Sequence, residues 1–316
     1  MLPRLIEFPF EIPLLGQSLP SYFTMVAVGF LLAIIIIRRW ATPLQIDKQI
    51  MLDFVIWMAI WGVIGSRILH VVADGHFWDY VYVCLDPGRV DWKIDERECR
   101  ALKGIWDVAK NVCHPAQSNC FAWADLASGG FAFYGGFIAA AIFSTYFIRK
   151  HDLPVGKILD MSGFTLMLGV TWGRIGCFLA SCCFGARTES VIGVTFPARS
   201  AASRHHWDQG WLSSYRLESL PVIPTQIYSA MGVFLIAAFA YFWLHPRKKF
   251  DGQVFCISAA LYAIFRFLIE FFRRDERGGL LGLSTSQLIA IFFIGFLIWL
   301  WRYLSRRAER IAPRAQ

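Results

Sequence analysis

Charged residues are scarce in this chain of 316 residues. Only 17% of its positions are Asp, Glu, Lys or Arg, whereas 56% are hydrophobic, and the mean hydropathy is +0.48. A soluble protein of this length does not need so much apolar surface. The composition therefore favours a protein that crosses a membrane several times.

Acidic residues are also in short supply, with 23 Asp and Glu against 31 Lys and Arg. In a membrane protein, such an excess marks cytoplasmic loops rather than nucleic-acid binding, so no nucleic-acid partner is expected. The chain has no internal repeat, P-loop, dinucleotide-binding glycine pattern or HExxH motif. No cleavable signal peptide is evident, because prolines and a glutamate interrupt the N-terminal stretch.

Apolar runs recur along the rest of the chain and predict about seven transmembrane helices. The fold class is therefore an all-α integral membrane protein, with residues 1–316 as a single membrane domain. The predicted windows are roughly 21–39, 50–72, 131–149, 158–180, 225–244, 253–272 and 284–302.

Clusters of basic residues set the orientation of these helices. They follow the first, third, fifth and seventh windows: Arg38, Arg39, Lys48; Arg149, Lys150, Lys157; Arg247, Lys248, Lys249; Arg302, Arg306, Arg307 and Arg310. If these segments are cytoplasmic, the N-terminus is outside and the C-terminus is inside. An odd number of helices agrees with that arrangement.

Two long polar segments then fall outside the cytoplasm. Segment 73–130 contains four cysteines, Cys84, Cys99, Cys113 and Cys120, which predict disulfides with three possible pairings. The alternative is four free thiols in a reducing compartment. Segment 182–223 is rich in Ser, Arg and aromatic residues and predicts a small head over the membrane.

Charges inside the predicted helices are costly and need a reason. Arg67, Arg174, Arg266 and Glu270 are such charges, and the spacing of four puts Arg266 and Glu270 on one helical face. The arginines could hold helices together through backbone carbonyls, but three of them in the outer half of the bilayer favour a shared polar cavity. Because guanidinium matches phosphate oxygens, this cavity is predicted to bind an anionic phospholipid. A transporter or a scaffold could share such a site.

Glycines and tyrosines accompany these charges. Gly135 and Gly136 belong to the stretch SGGFAFYGGFIAAA, which either lets an anion approach a helix N-terminus or serves ordinary helix packing. Tyr22 begins the first window, where interfacial tyrosines are common. Tyr262 is four residues before Arg266 and faces the same side.

Several of these stretches occur together in a recognisable order. They are SYFTMVAVGF, GVIGSRILHVV, GGFAFYGG, GVTWGRIGCF with its downstream FGAR, PTQIY, LYAIFRFLIEFFR and LSTSQL. In this order, the chain resembles the prolipoprotein diacylglyceryl transferase family over nearly its whole length. The region 81–125 is an enlarged loop beyond the usual pattern of that family.

The resemblance implies a membrane enzyme of the bacterial inner membrane. It would transfer the diacylglyceryl group of phosphatidylglycerol to the lipobox cysteine thiol of a prolipoprotein signal peptide, releasing glycerol-1-phosphate, in the first step of lipoprotein maturation. No cofactor and no metal are implied. The implied catalytic residues are Arg266, Glu270, Tyr262 and Tyr134, and the implied phosphatidylglycerol-binding residues are Arg174, Arg67, Tyr22, Gly135, Gly136 and Gly185.

The chain departs from the family pattern at several polar positions. Tyr134 stands where the family commonly has a histidine, Ile223 replaces another histidine, and Cys177 and Cys182 replace Asn and Glu. The alternative functions are therefore a paralogue with a different lipid donor or thiol acceptor, and a non-catalytic lipid-binding protein.

The thiols after Arg174 have several interpretations. Cys177, Cys182 and Cys183 could be small packing residues, form a disulfide or act in covalent catalysis. Metal binding is disfavoured, since no histidine lies close in sequence and adjacent cysteines rarely both ligate with good geometry.

Overall fold

A computed structural model describes residues 4–12, 16–41, 46–73, 77–92, 94, 96–124, 130–272, 279–280 and 282–311. The chain divides into two units. The first unit consists of residues 1–10, 17–51 and 153–316, and the second of residues 11–16 and 52–152.

Helices dominate both units. They are α1 (Ser21–Ala41), α2 (Lys48–Ala73), α3 (Phe77–Leu85), α4 (Glu96–Ala101), α5 (Phe133–Lys150), α6 (Val155–Leu179), α7 (Ala201–Asp208), α8 (Thr225–Ala238), α9 (Gln253–Ile269) and α10 (Thr285–Ile311). Phe239–Leu244 continues α8 as a π-helix, and short 3-10 turns cover Pro87–Arg89, Ala122–Ala124, His245–Arg247 and Glu270–Phe272. A helix therefore lies at each of the seven predicted windows.

Five of these helices are long and apolar enough to cross a membrane. Among the described residues they are Ser21–Ala41, Lys48–Val72, Thr225–Arg247, Gln253–Phe272 and Thr285–Arg310. The protein is thus helical, with the make-up of a multi-pass membrane protein. The predicted count of seven spans also needs α5 and α6, and it stays a prediction.

Short strands supplement the helices. They are β1 (Arg4–Ile12), β2 (Gly16–Pro20), β3 (Ile105–Asp107), β4 (Val112–His114), β5 (Gly279–Leu280) and β6 (Leu283–Ser284). Each pairs with its neighbour in the chain to form a two-stranded sheet. Apart from Ser284 of β6, with which the last window begins, they lie outside the seven apolar windows, and the all-α prediction did not include them.

The central helix of the first unit is α6, which packs against α1, α8 and α9. It runs antiparallel to α1, because Trp40 at the end of α1 packs on Phe164, whereas Tyr22 at the start of α1 lies against Gly176. Apolar side chains spaced along α6 fill these contacts, as expected for a helix that is buried on more than one face.

Helix α9 runs parallel to α6. Near their starts, a carboxylate oxygen of Asp160 accepts a hydrogen bond of 2.9 Å from Val254 N. Farther along, Tyr262 packs against a cluster of Met167, Val233 and Ala237 that joins α6 to α8. Because both contacts advance in the same direction along the two helices, their C-terminal ends lie together.

A buried ion pair holds the N-terminal ends of α6 and α9. Asp160, 1% exposed, accepts a hydrogen bond of 2.7 Å from Lys248 Nζ, which also donates to the exposed Asp251 at 2.7 Å. The chain reaches α9 through Gly252 at a φ of 95°, a conformation that favours glycine. A negative charge at a helix N-terminus is stabilising, so Asp160 both neutralises Lys248 and caps α9.

The second unit contains the predicted loop 73–130. Disulfides join Cys84 to Cys120 and Cys99 to Cys113. The second bridge ties α4 to β4, which pairs antiparallel with β3 so that Trp106 faces Cys113. Of the three pairings that the sequence left open, the structure therefore has this one.

Candidate functional site

Tyr22 and Arg174 lie at the end of the first unit where α1 begins and α6 ends. A Cβ placed on Gly176 would lie 3.2 Å from Tyr22 Cα, so the α1 backbone touches this turn of α6 with almost no spare room. The charge of Arg174 is close enough to act on the Tyr22 phenol. Tyr22 is 39% exposed, so this neighbourhood is open on one side.

Arg174 is a half-buried cation on α6. Among the described residues, it has no hydrogen bond to a side chain or carbonyl and no ion pair. A charge on an apolar helix is normally paired or faces a polar cavity. The guanidinium therefore suits an anion that comes from outside the chain.

Arg266 is held in place from two sides. One Nη donates to the buried carboxylate of Glu270, one turn along α9, and the other donates to Ser286 Oγ at 3.0 Å. The side chains of Arg266 and Glu270 are 15% and 8% exposed. The ion pair predicted from the spacing of four residues is thus present, and Ser286 of α10 is an additional partner.

The start of α10 positions Ser286. Ser284 Oγ accepts a hydrogen bond from Gln287 N at 3.3 Å, and Gln287 Oε1 accepts one from Ser284 N at 2.9 Å. This reciprocal pair is a capping box, which fixes the first turn of a helix. The stretch LSTSQL therefore fixes the hydroxyl that Arg266 contacts.

Arg174 and Arg266 lie at nearly the same level along the parallel helices α6 and α9. The helices start together at Asp160 and Val254. With a rise of about 1.5 Å per residue, Arg174 lies about 21 Å beyond Asp160, and Arg266 about 18 Å beyond Val254. Two of the three predicted arginines therefore come to the same end of two packed helices, together with Tyr22.

Tyr262 lies one turn below Arg266 on α9. It is partly buried and packs against the cluster of Met167, Val233 and Ala237. Its predicted catalytic role stays a prediction.

Gly185 lies where three segments cross, also at this end of the first unit. Its N–H donates to Ile223 O at 2.9 Å, and the next amide, of Ala186, donates to Phe272 O at 3.2 Å. A Cβ on Gly185 would lie 2.6 Å from Thr225 Cγ2 and 3.0 Å from Phe272 O. Gly185 thus lets the segment after α6 pass between the start of α8 and the end of α9.

The three thiols that follow Arg174 form a cluster. The Sγ atoms of Cys177, Cys182 and Cys183 all lie within 4.8 Å of one another. The described structure thus brings all three thiols together, and the expectation that they bind no metal stays a prediction. These thiols also lie near the Tyr22 phenol.

The predicted head, 182–223, packs on its own small core of Phe196, Ala202 and Val222. His206 is buried in it, and its Nδ1 accepts a hydrogen bond of 3.1 Å from Leu220 N. Burial lowers the pKa of His206, and the charges of His205 and Arg187 lower it further. The neutral imidazole ring of His206 thus accepts a backbone hydrogen bond inside the head.

Arg67 belongs to the second unit, where it holds a loop. Its guanidinium donates to the backbone carbonyls of Trp123 at 2.7 Å, Ala122 at 3.0 Å and Gly130 at 3.1 Å. It also stacks 5.3 Å from the ring centroid of Tyr80 and is only 3% exposed. These contacts match the alternative use that the sequence left open, while binding of phosphatidylglycerol by Arg67 stays a prediction.

Gly135 and Gly136 pack α5 against α2 in the second unit. A Cβ on Gly135 would lie 2.3 Å from Gly65 O, and one on Gly136 would lie 2.8 Å from Gly62 O. Their amides both donate to Ala132 O, at 3.1 and 3.4 Å. The pair therefore forms a small-residue helix contact, one of the two uses that the sequence predicted.

Tyr134 precedes these glycines and is 47% exposed, with its ring against Phe133. Its predicted part in catalysis stays a prediction.

Comparison with known proteins connects these features to one family. The model of the prolipoprotein diacylglyceryl transferase family matches residues 9–303. The chain belongs to the prolipoprotein diacylglyceryl transferase family.

Curated relatives of this family resemble the chain over most of its length. A phosphatidylglycerol--prolipoprotein diacylglyceryl transferase of Clostridium tetani is 29% identical over 286 residues, 90% of this chain and 93% of that protein. The corresponding transferase 2 of Clostridium perfringens is 28% identical, over 93% and 95% of the two chains. One from Neisseria meningitidis serogroup B is 28% identical, over 93% and 97%.

Some residues at the end of the first unit that contains Arg174 and Arg266 were not predicted from the sequence. Ser286 contacts Arg266, while Thr225 Oγ1 and Gln226 Nε2 donate to the carbonyls of Cys183 at 3.2 Å and Cys182 at 2.8 Å. Their motifs, LSTSQL and PTQIY, carried the resemblance to the transferase family. The S-x-x-Q spacing of a capping box was the one physical signal that could have predicted Ser286.

Proposed function

We propose that this chain is a phosphatidylglycerol-prolipoprotein diacylglyceryl transferase of the bacterial inner membrane. It transfers the diacylglyceryl group to the thiol of a lipobox cysteine and releases glycerol-1-phosphate. Family membership supports the reaction. The observation that carries the proposal is Arg174, which has no hydrogen bond or ion pair to the described residues and lies at the same end of the first unit as Tyr22 and Arg266.

Arg174 and Arg266 have different roles toward the lipid phosphate. Arg174 binds the lipid phosphate, since its donors are not used by the described residues. Arg266 is preorganised by Glu270 and Ser286, so its guanidinium does not need to reorganise as negative charge develops on the leaving group. The substrate thiolate attacks the carbon of the diacylglyceryl group that bears the phosphate. A C–S bond forms, and the C–O bond breaks with its electron pair leaving on the phosphate oxygen of glycerol-1-phosphate.

The chain crosses the inner membrane seven times, with its N-terminus in the periplasm. In the first unit, the basic residues Arg38, Lys157 and Lys248 lie at the end opposite to Arg174 and Arg266. The positive-inside rule then puts the site at the outer leaflet, beside the periplasmic head. Reporter fusions after residues 41, 150, 248 and 311 should all report the cytoplasm; a periplasmic signal from any of them would contradict this topology.

Complementation tests the proposed reaction. Cells depleted of their own transferase should grow when they express this chain, and they should not grow with Arg174→Ala at equal membrane abundance. The matched control is Arg302→Ala, on the exposed surface near the other end of α10. Rescue by Arg174→Ala, or no rescue by the unchanged chain, would contradict the proposal.

A further inference from the structure

We propose that Cys177, Cys182 and Cys183 bind one zinc ion and leave its fourth position open for the thiol of the substrate. The second half of this inference rests on the proposed transferase function, whereas the first half does not.

The distances between the thiols suit zinc. Zinc bound tetrahedrally at about 2.3 Å from each sulfur separates the sulfurs by about 3.8 Å. The three Sγ atoms already lie within 4.8 Å of one another. The sulfurs therefore need to approach one another by no more than about 1 Å to reach the spacing of a zinc site.

The backbone that brings the thiols together is strained and firmly held. Ser181 and Cys183 have φ values of 58° and 61°, in the left-handed region that non-glycine residues avoid. Such strain persists where the surroundings fix it, and it concentrates at functional sites. The fixing groups are the buried Thr225 and Gln226, which donate to the carbonyls of Cys183 and Cys182. The thiols are thus preorganised rather than adventitious neighbours.

The surroundings also suit a charged metal centre. Three thiolates around Zn²⁺ carry a net charge of about −1, and Arg174, three residues before Cys177 on α6, puts a positive charge on the same helical face. Ser181 Oγ, next in the chain to Cys182, is buried and has no hydrogen-bond partner among the described residues. A buried hydroxyl in this state calls for an additional ligand or water at the site.

Three protein ligands define an open zinc site. Structural zinc sites are closed by four ligands, whereas catalytic ones keep one position for a water or a substrate. The described residues supply only three members to this group. A thiol that coordinates zinc is deprotonated, so the substrate cysteine would lose its proton to solvent and attack as a zinc-bound thiolate. The zinc keeps its oxidation state, and the sulfur leaves the metal as the C–S bond forms.

Metal analysis of the detergent-solubilised full-length protein tests the site without an activity assay. After incubation with Zn²⁺ and removal of free metal, the unchanged protein should retain about one zinc ion per chain. Cys177→Ser, Cys182→Ser and Cys183→Ser should each weaken binding by roughly tenfold or more, since even a lost outer-shell partner costs 10- to 100-fold. Cys256→Ser is the matched control, because Cys256 is a buried free thiol of α9 outside the cluster, and it should bind as the unchanged protein does.

Cobalt and a lipobox peptide test the open position. Co²⁺ in the site should show sulfur-to-metal charge-transfer bands, and a peptide with a lipobox cysteine should intensify them while its serine analogue does not. Unchanged bands with the cysteine peptide would refute substrate coordination. A disulfide within the cluster, seen as a loss of two mass units in its peptide, or binding of Cu⁺ but not Zn²⁺, would overturn the site.

Failure of this inference differs from failure of the proposed function. Full lipid transfer by protein that holds no zinc overturns the zinc proposal and leaves the transferase intact. Zinc binding with a thiol-dependent cobalt spectrum, but without lipid transfer, supports the site and refutes the transferase.

Discussion

Removing the Ser286 hydroxyl tests how the site holds Arg266. Ser286 Oγ accepts a hydrogen bond of 3.0 Å from one Nη of Arg266, and both side chains are partly buried. Hydrogen bonds to charged groups contribute about 1.5–3 kcal/mol. If the bond orients the guanidinium for the leaving phosphate, Ser286→Ala should lower kcat/KM by about 10- to 100-fold.

The assay is transfer of a diacylglyceryl group from phosphatidylglycerol to a lipobox peptide, followed by mass spectrometry. Ser286→Thr keeps the hydroxyl and should retain most of the activity. Ser305→Ala, which removes a hydroxyl that donates to Arg302 O near the other end of α10, is the matched control and should change neither activity nor Tm. Activity of Ser286→Ala within twofold of the unchanged protein would refute the reasoning, as would a loss that merely parallels unfolding.

Three further predictions concern stability and pH. Asp160→Ala should destabilise the protein by about 3–5 kcal/mol, because it breaks a buried ion pair. Asp251→Ala removes the exposed carboxylate that binds the same lysine and should destabilise the protein by only about 0–1 kcal/mol. Equal shifts in Tm for the two variants would contradict this expectation. Gly135→Ala should destabilise the protein by about 1–3 kcal/mol, because the added methyl group overpacks against a carbonyl. Gly295 has open space around it, so Gly295→Ala should be neutral or stabilising. The Tm of each variant measures both effects. The pKa of His206 is lowered in the fold, so the unfolded head binds more protons and its stability falls as pH drops below about 6.5. The Leu220 amide, which donates to His206 Nδ1, should then lose protection from hydrogen exchange at pH 5. His206→Asn keeps a hydrogen-bond acceptor but does not titrate, so it should remove this pH dependence. Equal pH dependence in both proteins would contradict the expectation.

Hydrophobic length predicted the helices because apolar runs of this size have few alternatives in a membrane. Helices lie at all seven windows, and the spacing of Arg266 and Glu270 predicted their ion pair. Such local contacts can be predicted from the sequence, since residues three or four apart on a helix share a face.

Contacts between segments far apart in the chain could not be predicted from the sequence. The three carbonyls bound to Arg67 come from a loop more than fifty residues away, so only the fold could show which use of this arginine the structure contains. The cluster around Cys177 depends on positive φ values at Ser181 and Cys183, which no residue pattern predicted. Spacing alone could not show that the three sulfurs come together in this turn.

The most direct test of the central claim is lipid transfer by purified protein with and without the Arg174 guanidinium. With phosphatidylglycerol and a lipobox peptide, Arg174→Ala should reduce kcat/KM by about 100-fold or more, since a lost charged phosphate contact costs about 3 kcal/mol. Arg302→Ala should leave it unchanged. Transfer by Arg174→Ala within twofold of the unchanged protein would contradict the claim that Arg174 binds the lipid phosphate.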